Sequence, residues 1–356
     1  MADNRTKQSD RGSFLLGLLR RPEAGAAAGF VLIFIFFGYF GWDKNFLTAL
    51  GSSTWLNFAS KVGIVAVPIG FLMIAGELDI SIGALIPAGG IVLAMGVELY
   101  GLNIWLAVCV SFAVTGFIGF INGLIVTRTN VPSLIVTLAT LFVIAGLNAY
   151  VSKQLAGTTQ HSLQDVGVVS EFILGDYHSL IIGEGDNEFV IFRSLQSSFF
   201  IWLIFAAICF YVLHVSPWGN WILAMGGDQE SARNAGIPTN RLKIALFMLS
   251  AMSAALVGMT EGVLANTAST TTQFGMIFNS IICVVVGGVL LTGGFGTVTG
   301  TVFGTLTFGI VFQGINFTTF DKDLNMLFIG VLLLVAVLMN DSFRNWATRA
   351  STSKKK

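Results

Sequence analysis

Apolar runs long enough to cross a membrane occupy most of this 356-residue chain. An α-helix needs about 20 such residues to cross the hydrocarbon core of a bilayer. Backbone groups in lipid must be paired within the chain, so runs that are apolar all round predict helices rather than the alternating strands of a membrane barrel. Only 11% of the residues are charged, whereas a soluble domain usually has about 25%. The sequence therefore predicts an all-α integral membrane protein.

About ten transmembrane helices are expected. Charged and proline residues interrupt the apolar pattern within 53–99. Eight helices is the alternative if one or two weak spans are re-entrant. Arg20 and Arg21 precede the first run without a clear signal-peptidase site after it, so this helix is expected to be retained. The predicted spans are 24–42, 53–75, 80–99, 102–126, 133–152, 197–215, 244–265, 274–292, 298–317 and 324–340.

The distribution of Lys and Arg predicts the orientation, because positive loops favour the cytoplasmic side. Residues 24–340 form the predicted transmembrane domain, and its longest outside loop, 153–196, is rich in Asp and Glu. Both termini are then expected in the cytoplasm. Most of the 19 Lys and Arg residues lie in four segments on that side: the N-terminal tail 1–23, the loop with Arg128, the loop 216–243 and the basic tail 341–356.

Several classes of function lack their motifs in this sequence. There is no G-x-x-x-x-G-K-[ST] phosphate loop and no familiar protease or hydrolase motif. The three cysteines lie within apolar runs and the three histidines are scattered, so no metal site is predicted. A net charge of zero implies no nucleic-acid partner.

The loop 226–243 contains the signals of a short polar helix. Asp228 can cap its N-terminus, residues 229–235 can form the helix, and Gly236 can end it. Pro238 cannot continue it. Such a helix on the membrane surface can fit a groove of a partner protein, and the alternative is a solvated loop.

The face that a partner would meet combines small and charged residues. Ala232 and Ala235 would allow close approach, and Glu230 and Arg233 would be available for contacts at the rim.

The string GGDQESARNAGIPTNRLK, residues 226–243, resembles the coupling loop of permeases in sugar-type ABC importers, the ribose and xylose permease family. In that family the loop docks onto the ATP-binding subunit. The resemblance implies that this docking uses Gly227, Asp228, Glu230, Ala232, Arg233, Gly236 and Ile237.

A second segment, GELDISIG over 76–83, is similar to the family's G-G-I-D-L-S-V-G signature and differs from it at Glu77. Its glycines and polar residues predict a break between two helices. Asp79 could cap the second helix, and Gly83 permits close packing. The alternative is an ordinary turn at the interface.

A third segment, the glycine-rich stretch 287–300, is also similar to the family's pattern. It contains no basic residue, so it predicts a cytoplasmic turn rather than a phosphate site. Gly300 and Gly304 then form a small-residue face for packing against another helix.

Polar residues inside the spans are the remaining candidates. Their side chains can hydrogen-bond a hydroxyl-rich cargo, or they can join helices to one another. The candidates for the helix break or the pore are Glu77, Asp79, Ser81, Asn122, Glu261, Gln313 and Asn316.

Taken with the resemblance, these features imply the permease subunit of an ABC importer in the bacterial inner membrane, with a monosaccharide or polyol as cargo. The implied partners are a cytoplasmic ATPase subunit that holds ATP and Mg, a periplasmic sugar-binding protein, and a second permease copy or paralogue. The chain itself is expected to bind no cofactor or metal and to have no catalytic residue.

Three alternatives remain open. A branched-chain amino acid or nucleoside permease would keep the architecture, although charged cargo would favour a fixed countercharge near the pore. An ion-coupled carrier would transport alone, but it usually needs acidic groups within the membrane, and the only candidates are Glu77, Asp79 and Glu261. A membrane enzyme would need a catalytic constellation that the sequence does not show.

Overall fold

The computed structural model of the protein describes residues 23–163, 166–182 and 189–336. The predicted tails, up to residue 22 and over 341–356, lie outside these ranges, as do parts of the loop 153–196 and the end of the last predicted span. The helices are α1 (Glu23–Phe40), α2 (Ala49–Ile74), α3 (Ile82–Glu98), α4 (Ile104–Arg128), α5 (Ser133–Ala156), α6 (Val168–Leu174), α7 (Ser197–His214), α8 (Pro217–Gly227), α9 (Gln229–Asn234), α10 (Thr239–Leu264), α11 (Phe274–Val286), α12 (Val298–Gly314) and α13 (325–336). The strands are β1 (Gln160–Ser162), β2 (Tyr177–Ile182), β3 (Phe189–Gln196) and β4 (Thr267–Ser269).

Seven of the described helices are long and apolar enough to cross a membrane: α1, α2, α4, α5, α7, α10, and α12 with the turn that follows it. The predicted all-α membrane class is therefore confirmed. The helices α3 and α11, which are shorter, and the described part of α13 lie at the other three predicted spans. The total of ten spans and the orientation stay predictions. The predicted span 274–292 extends beyond the helix, because α11 ends at Val286 and a glycine-rich turn follows.

Helices α2 and α10 form the centre of the bundle. Helix α2 is buried throughout its second half and packs against α10, α11, α12 and α7, while α10 also packs against α3 and α4. Helices α1, α4, α5 and α7 surround them and expose many large apolar side chains. This exposure suits a surface that faces lipid rather than water.

The bundle has two chemically different ends. Helix α10 begins beside α9 and ends beside β4, so we name them the α9 end and the strand end. At the strand end β1 pairs with β4 and β2 with β3, both antiparallel. The loop 153–196, to which the sequence analysis assigned no secondary structure, thus contains strands and the short helix α6.

The predicted loop 216–243 also contains more structure than expected. It opens with α8, whose side chains Ile222 and Met225 are buried. Pro217 at the first turn of α8 follows Ser216, which is a common helix start that the sequence analysis did not use.

Glycine allows the backbones of α11 and α12 to touch. A Cβ atom built on Gly304 would lie 2.1 Å from the carbonyl oxygen of Cys283, and one on Gly300 would lie 2.2 Å from that of Gly287. The predicted packing face of Gly300 and Gly304 is therefore confirmed.

We expect Gly304→Ala to destabilise the protein by about 1–3 kcal/mol, since the methyl group forces two backbones apart. The matched control is Gly146→Ala in α5, where a Cβ atom meets nothing within 4 Å. The melting temperature of each detergent-purified variant checks this. Equal melting temperatures for the two variants would contradict the close packing of α11 on α12.

Candidate functional site

Helix α9 is a short exposed helix between α8 and α10. The Asp228 carboxylate accepts hydrogen bonds from the backbone N–H groups of Glu230 and Ser231, at 3.0 and 3.1 Å, and from the Ser231 hydroxyl at 2.7 Å. These bonds, above all the one from the Ser231 hydroxyl, lower the pKa of Asp228 below its ordinary value. Gly236 ends the turn with φ +85°. The predicted capped helix is confirmed.

The side chains of α9 divide into an outer and an inner set. Glu230, Arg233 and Ala235 are exposed, and Ile237 is half-buried. Ala232 is only 4% exposed and packs into the main hydrophobic core. The expectation that Ala232 lets a partner approach is therefore wrong, because its side chain packs α9 against the core of its own chain.

A buried ion pair connects α9 to the end of α2. The Lys243 ammonium group contacts the Glu77 carboxylate and also donates a hydrogen bond to the side-chain carbonyl oxygen of Gln229 at 2.7 Å. The side chains of Lys243 and Glu77 are 7% and 11% exposed. Gln229 is the first residue of α9, so this arrangement, which we name the Lys243 tie, holds the short helix to the membrane core.

The three glycine-containing segments noted in the sequence meet beside this tie. A Cβ atom on Gly226 would lie 1.7 Å from the carbonyl oxygen of Ile74, and the Gly294 N–H donates to the same oxygen at 2.8 Å. A Cβ atom on Gly293 would lie 3.1 Å from the Cα atom of Gly76. Gly76, Gly293 and Gly294 all have positive φ, which favours glycine. We name this contact of Gly76, Gly226, Gly293 and Gly294 the glycine junction.

A non-helical segment lies between α2 and α3, at the position of the predicted helix break. The backbone N–H groups of Leu78 and Ile80 donate to the hydroxyls of Ser133 and Thr137, each at 3.1 Å. These hydroxyls lie one turn apart on α5. Extended backbone inside a membrane bundle needs such partners, because no water is available to it.

Asp79 lies deep within this break and is 1% exposed. Its carboxylate accepts hydrogen bonds from the Ser81 N–H at 2.9 Å and from the Ser250 hydroxyl at 2.8 Å. Ser250 is near the midpoint of the 26-residue helix α10. Ser81, rather than Asp79, occupies the N-cap position of α3, so the predicted capping role of Asp79 is wrong. Asp79 instead accepts a hydrogen bond from the N–H group of this N-cap residue.

Asn122 extends this network between helices. Its amide donates to the Ser81 hydroxyl at 3.1 Å, and its carbonyl oxygen accepts from Thr140 at 2.6 Å. Asp79, Ser81 and Asn122 are buried, and their side chains hydrogen-bond one another or neighbouring helices at the break, while a pore role for them stays a prediction.

A cavity of about 490 Å³ lies toward the strand end, between α10, α3 and α2. It is lined by Glu261, the one sequence candidate found there, together with Lys61 and Gln273. Lys61 Nζ lies 3.7 Å from Glu261 Oε1, and the Gln273 amide donates to Glu261 Oε2 at 2.9 Å. The cavity therefore contains charges of both signs and neutral polar groups.

Pro87 explains how Gln273 is held beside this cavity. Proline has no N–H, so Pro87 within α3 leaves the carbonyl oxygen of Gly83, four residues earlier, without its helical partner. The Gln273 N–H donates to that oxygen at 2.8 Å. The Gln273 N–H therefore replaces the N–H group that Pro87 lacks, and this hydrogen bond joins the start of α11 to α3.

Gln313 and Asn316 lie elsewhere. They form a hydrogen bond with each other, at 3.2 Å, near the end of α12 and do not line this cavity.

Lys61, Gln273 and Lys243 were not candidates in the sequence analysis. Lys61 carried a usable signal, because a basic residue inside an apolar run is a functional candidate by itself, whereas the roles of Lys243 and Gln273 depend on contacts between distant segments.

Comparison with known proteins gives a family and several relatives. Residues 51–337 match the family described as branched-chain amino acid transport system / permease component. The fructose import permease FrcC of Rhizobium meliloti is 28% identical to this chain, over 92% of this chain and 87% of its own length. The ribose import permease RbsC of Escherichia coli K12 is 28% identical over 84% and 88%, respectively. The L-arabinose transport system permease AraH of the same strain is 28% identical over 95% and 96%.

No solved structure matches the chain. The family match covers most of the sequence, including the helix break, α9, the glycine junction and the cavity. This chain therefore belongs to the branched-chain amino acid transport system / permease component family.

Proposed function

We propose that this chain is the permease subunit of an ABC importer that moves a monosaccharide or similar polyol across the bacterial inner membrane. The names of its relatives support a sugar cargo. The observation that carries the mechanism is that an exposed, capped helix is bound by a buried ion pair to a break inside the membrane bundle. In this proposal ATP and Mg are bound by a separate ATPase subunit.

Helix α9 supplies the docking surface for that ATPase. The Asp228 cap fixes its conformation before a partner arrives, which lowers the entropic cost of binding. Glu230 and Arg233 project from its exposed face and can pair with charges on the partner. The α9 end faces the cytoplasm in this proposal, in agreement with the basic loops at that end.

The Lys243 tie and the glycine junction transmit movement from α9 to the bundle. A side-chain contact can absorb small displacements by changing rotamers, whereas the glycine junction joins backbones directly. A displacement of α8 and α9 is therefore passed to Ile74 and Gly76, where α2 ends and the break begins. Because the break joins α2 to α3, this movement can change the separation of the helices that line the cavity.

The strand end is the proposed site for a periplasmic sugar-binding protein, and a second permease copy or paralogue would complete the pore. Both expectations come from the family resemblance. The cavity supports a neutral cargo, because the charges of Lys61 and Glu261 compensate each other.

Glu230→Arg and Arg233→Glu should each abolish coupled uptake and co-purification of the ATPase, because both variants put a like charge opposite the partner's group. The control Glu171→Arg reverses a charge that is also exposed, at the strand end. Pull-down from native membranes, followed by detection of a P-loop ATPase, measures the outcome. Normal recovery of the ATPase with both α9 variants would refute the docking assignment.

Lys243→Met should lower the stability by about 3–5 kcal/mol, because it leaves the Glu77 carboxylate buried without its partner. The double variant Glu77→Gln/Lys243→Met should recover most of this loss but still transport slowly, since α9 is no longer held to the break. Melting temperature and uptake in reconstituted vesicles separate the two effects, with Lys322→Met as an exposed control. Full transport by the double variant would show that the tie is purely structural.

A further inference from the structure

The cavity at the strand end has the size of a ligand site. Its volume of about 490 Å³ falls within the usual range for small-molecule pockets, about 300–1,000 Å³. Its rim includes the exposed residues Tyr177, Thr267 and Thr271, so a solute can reach it from that end. This space admits a monosaccharide together with a few water molecules.

Hydrogen bonds and close backbone contacts hold the polar groups of the cavity in place. Gln273 is fixed through its backbone N–H to the carbonyl oxygen that Pro87 leaves free, and its side chain then orients Glu261. At the floor the backbones of α10 and α3 touch, since a Cβ atom on Gly258 would lie 1.8 Å from the carbonyl oxygen of Ile86. The donors and acceptors are therefore pre-organised, which favours binding.

Lys61 and Glu261 are the charged residues in this cavity, and their side chains are 21% and 29% exposed. Lys61 lies within the apolar helix α2, and a charged residue in such a helix is usually functional. At a separation of 3.7 Å the two charges compensate each other. Donors and acceptors remain available for a ligand, because an ammonium group has three donors and a carboxylate has about four acceptor positions.

We propose that this cavity is a cargo site that recognises a neutral, polyhydroxylated solute through Lys61, Glu261 and Gln273. Adjacent sugar hydroxyls can each donate to the carboxylate and accept from the ammonium or amide group, and such charge-assisted hydrogen bonds are strong. The ammonium and carboxylate groups of a zwitterionic amino acid would instead compete with the Lys61–Glu261 pair. The inference rests on the proposed function, to which it adds the place of binding and the binding residues.

The test is direct binding to the purified chain in lipid nanodiscs. The probes are D-ribose, D-fructose, L-arabinose and L-leucine, each observed by saturation-transfer NMR. We expect saturable binding of at least one sugar, in roughly the millimolar range, and none of leucine. Lys61→Met/Glu261→Gln removes both charges together and leaves no unpaired ion. It should weaken sugar binding by about tenfold or more, as the loss of charged hydrogen bonds predicts.

The control Lys153→Met/Glu171→Gln removes one charge of each sign from the exposed surface at the same end and should bind as the wild type does. Melting temperatures establish that each variant is folded. If Lys61→Met/Glu261→Gln does not fold, sugar binding by the isosteric single variant Glu261→Gln is measured in its place. Unchanged sugar binding by the cavity variants, or no sugar binding by the wild type, overturns the inference while the ATPase pull-down still tests the transporter class. Binding of leucine alone overturns both this site and the proposed sugar cargo.

Discussion

Every buried backbone N–H and C=O group must find a partner within the protein, and the break between α2 and α3 depends on this constraint. Leu78 and Ile80 leave helical geometry inside the bundle, so α5 supplies Ser133 and Thr137 to accept from their N–H groups. Asp79 then accepts from Ser81 and Ser250 and joins the start of α3 to α10. The break is therefore stabilised by hydroxyls from neighbouring helices, and its position is fixed only when those helices are packed.

The α9 end is organised around the same break. The carbonyl oxygen of Ile74, in the last turn of α2, accepts from Gly294, and Gly226 packs directly against it. Lys243 adds an ion pair to Glu77, which lies immediately before the buried part of the break. Glu77 is the position at which this chain differs from the family signature. Among the described residues, it forms the only ion pair at this end. Residues from α8, α9, α10 and the 287–297 turn consequently converge on one short stretch of chain.

Much of this could be predicted from the sequence where the signal is local. The long apolar runs, the Asp228 cap with Gly236, the helix break and the face of Gly300 and Gly304 each depend on residues close together in the chain, and each is present in the structure. The Lys243 tie, the glycine junction and the Pro87–Gln273 contact join segments far apart in sequence, and hydrophobic periodicity does not determine such pairings. Ala232 shows the same limit, because a small residue on a short helix suits an outer face and an inner one equally, and only tertiary packing decides between them.

The glycine junction and the cavity differ in what they demand of the chain. At Gly226 any side chain would overlap a main-chain oxygen, so the geometry there excludes all other residue types unless the segments separate. At the cavity, exchange of one polar side chain for another alters donors and acceptors while the backbone of α2, α3 and α10 stays in place. The two ends are therefore free to diverge at different rates during evolution. Paralogues built on this plan can acquire a different cavity lining by point substitution while the glycine junction stays unchanged.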